Sequence, residues 1–187
     1  MAELKSLCVF CGSKSGDDGQ FGETARALGE ALAKNGTELV YGGGEKGLMG
    51  ITASAARDAG GEVYGVIPRF LTEIEGILED IHHEVVETMH ERKMLMFDRS
   101  DAICALPGGI GTLEEIVELL SWRRLNLHRK PLILCNVEGY WHPFVTLLQH
   151  MVDRGFADPE LMTDIVEVDG VEGVIPAATD RLLRHRV

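Results

Sequence analysis

Short, mainly apolar runs alternate along this chain with longer stretches in which apolar residues return at every third or fourth position. Leu4 to Phe10 is the first such run; Gly22 to Lys34 then carries alanine and leucine at helical spacing until Asn35-Gly36 stops it. The pair repeats as a strand over Glu38 to Tyr41, a loop of Gly42-Gly43-Gly44, and an alanine-rich helix over Leu48 to Ala59 closed by Gly60-Gly61. Glu62 to Ile67 reads as a third strand, ended by Pro68. Arg69 to His83 mixes polarities without a period and reads as an irregular connection, followed by a short strand over Glu84 to Glu87. A helix over Thr88 to Arg99 leads into a strand over Asp101 to Leu106, a second glycine loop, and a periodic helix from Thr112 to about Asn126. Pro131 to Asn136, a helix over Tyr140 to Arg154, an apolar segment Ile165 to Val168 and a terminal helix from Val171 complete the chain.

Strands that are apolar on both faces must be covered on both faces. Their alternation with helices therefore predicts an α/β fold: a doubly wound, Rossmann-like parallel sheet with helices on both sides. At 187 residues, with no internal repeat or linker, residues 1–187 are expected to form one domain. In such sheets ligands bind beyond the carboxyl ends of the strands. Gly12-Ser13, Gly42-Gly43-Gly44 and Pro107 to Thr112 all fall there, each ahead of a helix. Glycine lets backbone approach a ligand closely, and the free amides of the following helix attract phosphate. A tight strand-to-helix turn uses glycine whether or not anything binds. Three such loops on one rim are what favour a phosphorylated ligand of nucleotide size.

Composition narrows the classes. Apolar residues make up 45% and charged residues 26% of the chain, an ordinary globular balance. A formal net charge of −12 argues against a nucleic-acid polymer or an anionic membrane as partner, since both require a positive surface. No apolar stretch approaches the roughly 20 residues of a spanning helix, and the first residues show no cleavage pattern, so a cytoplasmic location is expected. Cys8, Cys11, Cys104 and Cys135 lie in strand-like segments and read as buried thiols. Cys8 and Cys11 straddle a strand end and point to opposite faces, unlike a redox pair. Gly42, Gly44 and Gly47 satisfy GxGxxG but follow the second strand, and the acid of a dinucleotide site is missing from the end of the next strand. Gly42-Gly43-Gly44-Glu45-Lys46-Gly47 lacks the Gly-Lys-[Ser/Thr] ending of a P-loop. His82, His83, His90, His128, His142, His150 and His185 have no ligand spacing, so no metal is expected.

Thr112 and Glu115 match a TxxE capping box, which predicts a helix start at that point. A cap does not account for Pro107-Gly108-Gly109 before it or for the second carboxylate at Glu114. Arg92-Lys93 lies in an apolar helical stretch, and on spacing alone fits a solvated basic pair.

Taken together, FCGSKSG, YGGGEKGLMG, GVIP, MHERK, PGGIGTLEE and NVEGYWHP resemble the LONELY GUY family of cytokinin riboside 5'-monophosphate phosphoribohydrolases, over Leu7 to about Phe156. The resemblance implies hydrolysis of the N-glycosidic bond of an adenine-type nucleoside 5'-monophosphate to free base and ribose 5-phosphate, with no cofactor or metal. It implies Arg92 and Glu115 as the catalytic pair, with Lys93, Gly109, Gly111, Thr112 and Glu114 around the nucleotide and Ser121 in the substrate site. With the loop residues Gly12, Ser13, Gly42, Gly43, Gly44 and Gly108 these form the candidate site. One further acid of the family falls in the unaligned segment, where Glu73 and Glu75 are candidates. A homodimer is also implied, with Met94 to Phe97 available to its interface or to the core. Relatives read WAQLG where this chain has Trp122-Arg123-Arg124-Leu125-Asn126, a departure expected at the base pocket or the dimer face. The competing function is a non-catalytic nucleotide or pterin-cofactor carrier, since similar glycine loops recur in carriers of related fold. A true lysine decarboxylase would need pyridoxal phosphate on a lysine.

Overall fold

The structure, a computed structural model, describes residues 3–17 and 19–184; His185, set aside above among the histidines, lies outside them. Among these residues seven parallel strands form one sheet. In chain order they are β1 (Ser6–Phe10), β2 (Glu38–Tyr41), β3 (Val63–Pro68), β4 (His82–Val86), β5 (Ala102–Ala105), β6 (Leu132–Cys135) and β7 (Ile165–Val168). Their spatial order is β4-β3-β2-β1-β5-β6-β7. The chain works outward from β1 to β4, returns to the middle, and works outward again. The order therefore reverses between β1 and β5, where Cys8 pairs with Ile103 and Phe10 with Ala105.

Side-chain alternation along the central strand divides the core. Leu7, Val9 and Cys11 face a cluster completed by α1 (Gly19–Asn35), α2 (Gly47–Asp58) and α8 (Val174–Arg184). Cys8 and Phe10 face the opposite cluster, built with α4 (Met89–Arg99), α5 (Ile110–Arg124) and α6 (His142–Asp153). The two cysteines of the CxxC thus enter different cores, and all four cysteines are free and buried. Met96 is buried in the second cluster, with Leu95 and Phe97 packed against it, so that part of α4 serves the core. Among the described residues no helix is long and apolar enough to cross a membrane.

Three local expectations need correction. The segment after β3 is not wholly irregular: a 3-10 turn over Arg69–Leu71 runs into one helical turn, α3 (Thr72–Glu75), ended by Gly76 at φ 73°. β4 begins at His82, two residues before the expected start, because its backbone pairs with Tyr64 onward although its side chains show no apolar alternation at this exposed edge. A further short helix, α7 (Glu160–Thr163), precedes β7.

Within the departure at Trp122 to Asn126, the first two residues pack inward, while Arg124, Leu125 and Asn126 are exposed. Arg123 is buried, paired with Asp164 at 2.5 Å and donating to the Lys130 carbonyl, while Trp122 sets its ring edge-on to Phe97. None of the five residues lines the cavity described next.

Candidate active site

At the switch between β1 and β5 the two following loops are joined: the Gly12 amide donates to the Pro107 carbonyl at 3.0 Å. Beyond them opens a cavity of about 710 Å³, within the range of small-molecule sites. Gly12, Ser13 and Lys14 line one side, Pro107 to Thr112 with Glu114 and Glu115 another, and Phe70, Leu71 and Met89 an apolar rim.

α5 starts at Ile110 with Gly109 as its N-cap residue, two positions before the expected start, and no side chain caps it. The capping box read from Thr112 and Glu115 is therefore absent. Thr112 is instead buried in the first turn, and its hydroxyl occupies the space that a β-carbon at Gly108 would need. The first intrahelical bond runs from the Leu113 amide to the Gly109 carbonyl. This leaves the amides of the first turn to attract an anion in the cavity.

The capping box sits one motif earlier. Thr88 Oγ1 accepts from the Glu91 amide at 3.1 Å, and Glu91 Oε2 accepts from the amides of Thr88 and Glu87. This fixes the start of α4 and turns the next residue, Arg92, inward. The Arg92 side chain is buried and clamped: Nε donates to the Val66 carbonyl at 3.2 Å and Nη2 to the Gly42 carbonyl at 2.8 Å. Any β-carbon at Gly42 would run into this guanidinium. Gly43, at φ 80°, packs on Ile67, and Gly44 packs on Met49 and Glu75. Of the three glycines only Gly42 borders the cavity. Gly42 thus makes room for the arginine at the cavity wall.

The short helix α3 brings Glu75 to the cavity, its Oε2 3.9 Å from Arg92 Nη2, buried and without a hydrogen bond. Glu73, on the other side of that turn, is exposed. Of the two candidate acids it is Glu75 that faces Arg92. Glu115 projects from the second turn of α5 into the same space. Burial pushes its carboxyl up to about 7; Glu114 and Glu75 add to the rise, while Arg92 and Lys93 oppose it. Lys93 does not line the cavity. Its ammonium bridges Glu114 and Glu118 at 2.6 Å each, and the two carboxylates outweigh its burial, raising its pKa. Ser121 is exposed on α5, outside the cavity.

The site thus brings together Gly12, Ser13, Gly42, Arg92, Gly108, Gly109, Gly111, Thr112, Glu114 and Glu115, and leaves Gly43, Gly44, Lys93 and Ser121 off its walls. Tyr140 is an unanticipated wall residue: its hydroxyl donates to the Gly108 carbonyl. Cys11 also borders the cavity, but burial, reinforced by Glu115, raises its thiol pKa, so it is no ready nucleophile. Among the described residues no group of three His, Cys, Asp or Glu side chains is placed to hold a metal ion.

Residues 49–178 match a family model described as possible lysine decarboxylase. The chain is 43% identical over 178 residues to a cytokinin riboside 5'-monophosphate phosphoribohydrolase of Rhodococcoides fascians, covering 92% of this chain and 88% of the relative. It is 42% identical to an enzyme of that name from Arabidopsis thaliana, covering 93% of this chain and 81% of the relative. Among solved structures it resembles a molybdenum cofactor carrier protein of Chlamydomonas reinhardtii, with a TM-score of 0.73 and 22% identity over 96% of this chain and 99% of that one. That last likeness is one of fold.

Proposed function

The chain belongs to the LONELY GUY family of cytokinin riboside 5'-monophosphate phosphoribohydrolases, and we propose that it cleaves the N-glycosidic bond of adenine-type nucleoside 5'-monophosphates to free base and ribose 5-phosphate. The observation that carries this reading is Glu115: a half-buried carboxyl, poised near neutrality, beside a clamped arginine at the mouth of a helix N-terminus.

Glycosidic cleavage builds positive charge on the ribose ring. An ionised Glu115 stabilises that charge and takes a proton from the attacking water. Because its pKa is about 7, a large fraction is ionised at neutral pH and yet remains basic enough to accept a proton. Arg92 contributes a fixed positive charge that keeps Glu115 from being protonated altogether, and Glu75 balances Arg92. The phosphate sits at the first turn of α5, near Gly109, Gly111 and Thr112, where a carboxylate-rich cavity offers unpaired amides. The apolar rim of Phe70, Leu71 and Met89 accommodates the base and any alkyl group on it.

The residues do not fit pyridoxal phosphate. Lys14 is exposed at the rim and Lys93 is held charged by two carboxylates, whereas a Schiff-base lysine must be desolvated and neutral. We place the enzyme in the cytoplasm, a reading supported by four free thiols. We take it to be a homodimer, supported by the exposed apolar residues Ile110, Val117, Leu125 and Leu127 on and just after α5.

Incubation of the pure protein with AMP and with isopentenyladenosine monophosphate, followed by chromatography for free base, tests the proposal. Base from at least one is expected. Release from neither overturns it.

A further inference from the structure

The segment after β6, which carries the NVEGYWHP motif, has no part in the chemistry above, yet it is held in a costly conformation. Glu138 adopts φ 52° and Gly139 φ 68°, so a side-chain-bearing residue occupies the left-handed region. What holds it is Asn136, a buried side chain that donates to Glu167 Oε2 on β7 at 2.9 Å and accepts from the Trp141 amide at 2.7 Å. The Gly139 amide closes back on the Asn136 carbonyl. Trp141 is buried beneath.

This turn throws Tyr140 across to the neighbouring loop after β5. The hydroxyl donates to the Gly108 carbonyl at 2.5 Å, and the ring packs edge-on to Phe21 and Trp141, with centroids 5.7 and 5.1 Å away. The Gly108 carbonyl and the Gly109 N–H belong to one planar trans peptide and point in opposite directions. With glycine on both sides, that peptide meets little steric resistance to rotating as a unit. Rotation would bring the carbonyl oxygen, a repulsive partner for an anion, round to where the N–H had been. Gly109 is the N-cap residue of α5, so the peptide at stake lies at the anion-attracting end of that helix.

We propose that Tyr140 is a positioning residue for the anion subsite: its hydroxyl locks the Gly108–Gly109 peptide with the oxygen turned toward β6 and the N–H turned away from it. The inference rests on the reading that a substrate phosphate binds at the start of α5. It assigns to the strained turn after β6 the task of carrying the lock, and to Asn136 the task of holding the turn.

Tyr140→Phe keeps the ring contacts and removes only the hydroxyl. Calorimetric titration of ribose 5-phosphate and of adenosine into the wild type and Y140F, with kcat and KM for the nucleotide that is hydrolysed, decides the matter. The lock predicts ribose 5-phosphate binding and KM weakened about tenfold, the effect of losing one well-placed hydrogen bond, with kcat within about twofold and adenosine binding unchanged. Unchanged ribose 5-phosphate affinity refutes the lock, and so does an equal loss for adenosine, which marks a general loosening of the cavity. The titration requires no turnover. A wild type that binds ribose 5-phosphate but hydrolyses nothing therefore counts against the enzymatic reading alone, whereas an active wild type with an unweakened Y140F counts against the lock alone.

Discussion

Replacing Glu115 by glutamine separates what this carboxyl does for the reaction from what it does to the fold. Glutamine has nearly the same shape and carries no charge at any pH. In the wild type, burial and the neighbouring Glu114 and Glu75 raise the Glu115 pKa from 4.5 to about 7 against the opposing pull of Arg92 and Lys93. Between those two values the folded chain keeps a proton that the unfolded chain has released. Stability contributed by the protonated group is intact below pH 4.5 and falls as pH rises, the loss being complete above about pH 7. At about 1.4 kcal/mol per pH unit, this gap makes ionised Glu115 a cost of about 3 kcal/mol. Glu115→Gln escapes that cost. Thermal unfolding of both proteins from pH 5 to 8.5 is expected to show the variant gaining on the wild type as pH rises, by roughly 5–10 °C for a chain of this size. Turnover of the variant should fall by about 10²- to 10⁴-fold at the same time. The unfolding arm contains no substrate, so ionisation of the nucleotide's own phosphate does not enter it. Parallel unfolding curves would refute the burial argument, and undiminished turnover in a folded Glu115→Gln would refute the base.

Charge neighbours of Glu115 should move its midpoint in opposite directions. In the pH profile of kcat/KM, Glu75→Gln lowers the midpoint and Lys93→Met raises it, each by a few tenths of a unit; shifts of the same sign would contradict the electrostatics. Gly42→Ala should displace the Arg92 guanidinium and cut kcat/KM by about 10²-fold or more in a folded protein, comparable with Arg92→Ala, because the added methyl claims the space of Nη2. An active Gly42→Ala enzyme would show that the clamp is dispensable. Thr88→Ala removes the cap of α4 and is expected to cost about 1 kcal/mol in urea unfolding, while Thr112→Ala, which removes no cap, should do its damage through packing and the site.

Much of the fold is legible in the chain because the physics that sets it is local. β1, β5 and β6 are apolar at consecutive positions since both faces are covered, and the helices announce themselves through three-to-four spacing and glycine stops. Only the start of β4 escapes, by two residues, for the converse reason: an exposed edge places no demand on side-chain pattern, and backbone pairing with β3 carries the strand back to His82. The TxxE segments at Thr88-Glu91 and Thr112-Glu115 look alike in the sequence, yet of the two only Thr88-Glu91 forms a capping box. At the other, the helix begins earlier and Thr112 is drawn under Gly108. A capping motif states what a helix start can use, not where packing puts that start.

By itself the sequence determined the order of the strands and the longer helices, the glycine loops at the strand ends and the residue types available for chemistry, since periodicity and turn preference act over a few neighbours. Tertiary structure alone decided that Gly42 serves Arg92, that Glu75 rather than Glu73 faces it, and that Glu115 titrates near 7. Desolvation and Coulomb interactions are properties of what surrounds a group, and those surroundings are assembled from distant segments only when the sheet reverses its order between β1 and β5.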